Sequence, residues 1–170
     1  MQPGVTPRAD RPQMPGYGIS DQPPDTDLRP WSGAAEQLAN SRNYWITSTR
    51  PDGRPHAIPV WGIWMDDALY FSTARGSRKG RNLAARPNVV AHLESGDRVV
   101  ILEGEVEEEE ERTVLERYVD AYDVKYAFRP EMGKPEEVVY RLRPSKALTW
   151  NESSDNPGED FTNSATRWRF

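Results

Sequence analysis

Apolar residues in this chain fall into two patterns, one with a helical period and one of short alternating or solid runs. Trp31, Ala34, Ala35, Leu38 and Ala39 recur at i, i+3, i+4, i+7 and i+8, which predicts a helix from Pro30 to Arg42 with one buried face. Val114, Leu115, Tyr118, Val119 and Tyr122 repeat the pattern, with Arg112, Glu116 and Arg117 outward, so a second helix should run until it frays before Pro130. The other runs suit strands: Tyr44–Thr49, His56–Met65, Ala68–Thr73, Asn88–Glu94, Arg98–Glu105 and Glu137–Leu142, with Ala147–Trp150 continuing or returning from the last after Pro144. Turn residues separate them: Pro51-Asp52-Gly53-Arg54, Asp66-Asp67 and Ser95-Gly96-Asp97. The expected fold is mainly β with a few helices.

The run from His56 to Met65 is apolar on both of its alternating sets, Ala57, Pro59, Trp61, Ile63 and Met65 against Ile58, Val60, Gly62 and Trp64. Such a strand is expected to be covered twice, by a barrel interior on one side and by a helix, a flat cofactor or another subunit on the other. Pro59 lacks a donor and Gly62 a side chain, so ladder pairing should be interrupted there. Residues 1–27 are rich in Pro, Gly, Gln and Asp and are read as a disordered or draped arm. Residues 28–150 are read as the barrel domain and 151–170 as a C-terminal loop and covering arm. Arg167-Trp168-Arg169-Phe170, which alternates cation and aromatic, should form an edge strand or cover.

Composition removes several chemistries. The 170 residues contain no cysteine and two histidines, His56 and His92, and carry a net charge of −5. Disulfides, thiolate clusters and a cysteine nucleophile are excluded, no metal site is expected, and an acidic chain is a poor nucleic-acid binder. No apolar run reaches the roughly 20 residues of a membrane span, so a cytoplasmic protein is expected. The acidic run Glu107–Glu111 reads as the solvated start of the second helix. His56 and His92 read as edge and core residues, and Trp61 and Trp64 as core, with one of the two free to face a ligand.

One stretch breaks the local rules. After the strand Ala68–Thr73, Gly76 turns the chain into a helix for which Ser77 is a good N-cap. Arg78, Lys79 and Arg81 then place three cations where the helix dipole is already positive, each costing a few tenths to about 1 kcal/mol if nothing opposes it. Free helix amides, a hydroxyl and converging cations describe an anion site, most naturally for phosphate. A solvated basic turn is the bland alternative, and a strand feeding straight into the loop favours phosphate. Asn82, one helical turn beyond the cap, adds a candidate polar contact. Arg75 and Arg81 suit a second anionic group and, equally, a solvated role.

Tyr70-Phe71-Ser72-Thr73 followed by Gly76-Ser77-Arg78-Lys79 resembles the phosphate-binding segment of the pyridoxamine 5'-phosphate oxidase-like split β-barrel flavoproteins. The resemblance spans Trp45 to Val106 and the closing Arg167–Phe170. It implies a split β-barrel of six or so antiparallel strands, with an FMN phosphate on Ser77, Arg78 and Lys79. It also implies ring or ribityl contacts from Val60, Trp61, Phe71, Ser72 and Thr73, near a homodimer interface. Deazaflavin-dependent reductases of the same superfamily use the equivalent loop, so FMN and coenzyme F-420 both suit it. The implied activity is hydride transfer between that ring and a small organic substrate, a non-catalytic flavin- or phospho-ligand-binding module being the alternative. The C-terminus lacks the tryptophan-x-x-x-arginine-leucine-x-proline pattern of true pyridoxamine 5'-phosphate oxidases, so vitamin-B6 oxidation is not carried over. No side chain stands out as a catalytic acid or base.

Overall fold

The computed structural model describes residues 7–19, 28–153, 155 and 158–170. In chain order they form β1 (Arg8–Asp10), α1 (Trp31–Asn40), β2 (Asn43–Thr49), β3 (Pro55–Trp61), β4 (Ile63–Met65), β5 (Ala68–Ala74) and α2 (Arg78–Ala85). Then follow β6 (Asn88–His92), β7 (Arg98–Glu108), α3 (Arg112–Tyr126), β8 (Glu137–Asn151), α4 (Glu159–Ser164) and β9 (Thr166–Arg169). All pairings are antiparallel. The sheet runs β1-β9-β8-β7-β6-β2-β3, and β5 branches from β8 to carry β4. This is the expected open, split β-barrel, with nine strands among the described residues.

Two apolar clusters result from the alternation of side chains along β5. Leu69 and Phe71 point into the barrel interior, with Tyr44, Ile46, Leu102 and Leu142. Ala68 and Tyr70 point the other way, onto Tyr118, Val119, Tyr122 and Tyr126 of α3. Trp31 of α1 meets Trp64, Trp168 and Phe170 edge-on at 5.0–6.3 Å, joining α1 to the C-terminal strand.

Several expectations need correcting. The predicted strand His56–Met65 is two strands, because at Gly62 side chains replace the ladder: the Tyr126 hydroxyl accepts from Gly62 N–H at 2.9 Å, and Lys125 Nζ donates to the Gly62 carbonyl at 3.1 Å. A Cβ at Gly62 would stand 2.9 Å from the Tyr70 carbonyl, so the close approach requires glycine. Within the chain itself β3 is covered on one side: Ala57, Ile58, Pro59 and Trp61 are exposed, and only Val60 is buried. The acidic run does not open α3. Glu107 and Glu108 finish β7, Glu109 is buried against Arg141, and the helix begins at Arg112. Of the two readings of Ala147–Trp150, continuation holds: a bulge opposite Glu103/Gly104 absorbs Pro144 and β8 runs through it. The terminal strand β9 is interior rather than an edge, with β1 paired to its outer side and Asp10 bonded to Arg167 and Arg169. Thus part of the N-terminal arm is an ordered strand, anchored further by Ile19, which is buried; residues 1–6 and 20–27 lie outside the described residues.

Candidate functional site

The split itself makes the site. β3 pairs with β2 along one edge, and among the described residues no strand pairs with its other edge. β5 pairs with β4 only from Ala68 to Tyr70, leaving the edge of Phe71–Ala74 on that side free of a strand. Because β3 continues into β4 through Gly62, the two free edges diverge from that glycine. The seam opens toward β5's end, where the chain turns into α2.

At this mouth the predicted loop takes its expected shape. Ser77 caps α2, its hydroxyl accepting from Gly80 N–H at 2.9 Å and lying 3.0 Å from Thr73 Oγ1. Gly80 permits the turn: a Cβ there would stand 2.4 Å from the Ala74 carbonyl and 2.7 Å from that of Arg75. Lys79 is only 9% exposed and makes no hydrogen bond or ion pair among the described residues. Its ammonium lies 5.4 Å from the Phe71 ring centroid, and burial lowers its pKa to about 8. Arg78 is exposed and also without an ion pair there. Arg81 donates to the Gly76 carbonyl, which closes the loop on itself.

The other predicted residues divide by burial. Asn82 is fully enclosed and donates to Ser48 Oγ at 3.1 Å, while its Oδ1 has no partner. That bond holds α2 against β2. Phe71 is fully enclosed beneath Lys79 and Val60 is buried in the barrel, whereas Ser72 and Thr73 are half-buried, Thr73 bonded to Ser77. Ser72 and Thr73, with Tyr122, Phe128 and Lys134, line a cavity of about 440 Å³. Trp61 is 40% exposed and lies flat on Tyr126, with ring centroids 4.6 Å apart and planes within 4°. Arg75 is not available for a second anion, being paired with Glu108 through two bonds of 2.6 and 2.8 Å.

Sequence reasoning passed over the support of Trp61. Tyr126 donates to the Arg42 carbonyl at 2.7 Å, and the Arg42 guanidinium sits 5.3 Å from the Trp61 ring centroid. Lys125 also donates to the Tyr44 hydroxyl at 3.0 Å, and burial lowers its pKa to about 8. Burial likewise raises Tyr122, Tyr126 and Tyr44, so these phenols stay protonated. The spacing of Tyr118, Tyr122 and Tyr126 at i, i+4 and i+8 was the available signal; Tyr126 falls on the face already read as buried. Among the described residues no cluster of carboxylates and histidines can hold a metal. Among the described residues no helix is long and apolar enough to cross a membrane.

The architecture is that of a split β-barrel. Residues 33–151 match the family model described as Pyridoxamine 5'-phosphate oxidase, and the chain belongs to that family. Among solved structures, it is similar to a conserved hypothetical protein from Mycobacterium tuberculosis. The two are 25% identical with a TM-score of 0.64, over 76% of this chain and 90% of that one. A putative pyridoxamine 5'-phosphate oxidase from Listeria innocua is 20% identical with a TM-score of 0.59, over 69% and 95% of the two chains. A heme binding protein from Mycobacterium smegmatis, 17% identical with a TM-score of 0.60 over 81% and 62%, shares the fold. No sequence among the curated proteins matches the chain.

Proposed function

We propose that this protein is an oxidoreductase that holds FMN or a deazaflavin in the seam between β3 and β5 and acts on a small organic substrate as a homodimer. One observation carries the reading: Lys79 is a buried cation without a carboxylate, at the capped start of a helix whose first turn contains no acid. A buried ammonium costs several kcal/mol unless paired, and an incoming phosphate supplies the missing partner. Ser77, Arg78 and Lys79 would hold that phosphate together with free amides of the first helical turn. The unpaired backbone edges of β3 and of Phe71–Ala74 offer donors and acceptors for the rim of a planar ring, near Val60, Ser72 and Thr73.

When bound, such a ring supplies the hydride chemistry that no side chain of this chain can perform. The protein's part is to fix the phosphate, present one ring face and exclude water. Trp61, held flat by Tyr126, offers an exposed aromatic surface for an apolar substrate. The exposed apolar residues on β3, Ala57, Ile58 and Pro59, support a second subunit as the remaining cover. Absorption spectra of the purified protein, taken with FMN and with F-420, test the reading: a perturbed cofactor band with saturable binding is expected. Unperturbed spectra with both would overturn it. Tight binding without turnover against any electron donor and acceptor would favour a non-catalytic carrier instead.

A further inference from the structure

Three arginines on or beside α3 are already neutralised. Arg117 pairs with Asp66, Arg129 with Asp120, and Arg141 with both Glu107 and Glu109, each at 2.8 Å. Arg42, between α1 and β2, is different. It lies against the end of α3 and has neither a carboxylate nor a side-chain hydrogen-bond partner among the described residues. Lys125 also lacks a carboxylate there; it donates to the Tyr44 hydroxyl and the Gly62 carbonyl, and burial lowers its pKa to about 8. The closed end of the seam thus carries two unneutralised cations, 5.6 and 5.4 Å from the Tyr126 ring centroid, in a chain of net charge −5.

These charges border a flat apolar surface. The Trp61 indole and the Tyr126 ring are parallel within 4°, with centroids 4.6 Å apart. The Arg42 guanidinium carbon is 5.3 Å from the first centroid and 5.6 Å from the second, so the three centres form a nearly equilateral triangle. The guanidinium therefore stands at the flank of the stack. The indole face turned away from Tyr126 stays open, which accounts for the 40% exposure of Trp61. The support is fixed in advance: the Tyr126 hydroxyl accepts from Gly62 N–H at 2.9 Å and donates to the Arg42 carbonyl at 2.7 Å. An indole held this way loses little freedom when a ligand lands on it.

Flat face and flanking charge call for different halves of one ligand. An aromatic ring matches the indole by offset stacking. A carboxylate matches the planar fork of a guanidinium, which can bond both of its oxygens. We propose that Arg42 and the open face of Trp61 bind an aromatic carboxylate, its ring stacked on the indole and its carboxylate held by the guanidinium. The proposal rests on the oxidoreductase reading above and narrows its small organic substrate to aryl acids.

The test is a set of ligand-observed NMR titrations of the full-length protein with 2-naphthoate, 2-naphthamide and acetate. 2-Naphthoate should bind saturably and about fivefold tighter than the amide, as an exposed ion pair allows. Acetate, lacking the ring, should show no saturable binding. Arg42→Gln should bring 2-naphthoate to the affinity of the amide and change the amide less than about twofold. The Tyr126 bond survives that substitution because it goes to the backbone carbonyl. Trp61→Leu should weaken both naphthyl ligands about tenfold while keeping the preference for the acid. FMN and F-420 affinities in Arg42→Gln, read from absorption spectra, should change less than about twofold, because the exposed guanidinium is remote from the Ser77–Lys79 cradle. Equal binding of naphthoate and naphthamide, a preference that survives Arg42→Gln, or acetate binding as tightly as naphthoate would overturn the proposal, whatever the cofactor does. A preference that vanishes in Arg42→Gln, in a protein that binds neither FMN nor F-420, would uphold the acid site and overturn the oxidoreductase reading instead.

Discussion

Two groups of charges flank β5, and the chain treats them in opposite ways. On the β8 side, Arg141 bonds Glu109 and Glu107 at 2.8 Å each, and Arg75 bonds Glu108. Both of these cations have a carboxylate of their own chain, although the Glu109 side chain is only 4% exposed. On the α2 side, Lys79 is nearly as deeply buried and has none. Burying a charge without a partner is costly in either place. A fold that completes one pair and leaves the other open separates architecture from function. The first group pins the end of β7 and the start of α3 to β8, while the second, on the proposed reading, is completed by an outside anion.

Breaking the completed pair should have the largest effect. Arg141→Ala leaves Glu109 buried without its cation and should destabilise the protein by about 3 kcal/mol, toward the low end for buried pairs because Arg141 keeps some exposure. Denaturant unfolding measures this, and phosphate or cofactor affinity should not change. A loss below about 1 kcal/mol would show that Glu109 is adequately solvated.

Removing the open charge should act in the other direction. Lys79→Met keeps volume and discards a desolvated ammonium, so the ligand-free protein should gain about 1–2 kcal/mol, with the lost ring contact to Phe71 limiting the gain. Cofactor binding should weaken by about 2–3 kcal/mol. The pH dependence has a definite sign. The folded pKa, about 8, lies below the unfolded value of 10.5, so the unfolded chain binds more protons between them. The cost of the charge is full below about pH 8 and is relieved as pH rises toward 10.5, so ligand-free stability should increase across that window. Lys125 shifts in the same direction, so Lys79→Met should halve the increase rather than abolish it. Ligand affinity should decline above pH 8 in the wild type but stay flat in Lys79→Met.

The smallest effect belongs to a partly buried pairing far from both groups. Asp10→Asn loses bonds to Arg167 and Arg169 that tie β1 to β9, and should cost less than about 1 kcal/mol. The Arg167 hydrogen bond leads in depressing the Asp10 pKa. Its contribution is therefore present near neutrality and lost as pH falls through the folded value, a dependence absent in the variant. A drop as large as that of Arg141→Ala would mean that the arm holds the whole C-terminal strand in place.

Most elements could be read from one-dimensional pattern. α1, α2, β2 and β5 lie within a residue or two of where periodicity, the Ser77 cap and the turn residues put them. The errors share a cause. Gly62 reads as a weak spot within one strand, but its conversion into a break depends on Tyr126 and Lys125, more than 60 residues away. Glu109 looks identical to its acidic neighbours, and only Arg141 across the sheet singles it out. The arm at residues 8–10 is too polar to predict a strand by itself, and it becomes one because β9 offers an unpaired edge.

From the sequence alone, the shape of the turn into α2 was determined almost completely, because a capped helix start, a tight glycine turn and adjacent cations all lie within about ten residues. Local chemistry of that kind survives in any context that allows the helix to form. Which cations are already neutralised, Arg75 by Glu108, and which remain open, Lys79, Arg78 and Arg50, was decided only by tertiary structure. Charge pairing depends on distance in space, and the partners of β5 and α2 arrive from β7, β8 and the β2–β3 hairpin.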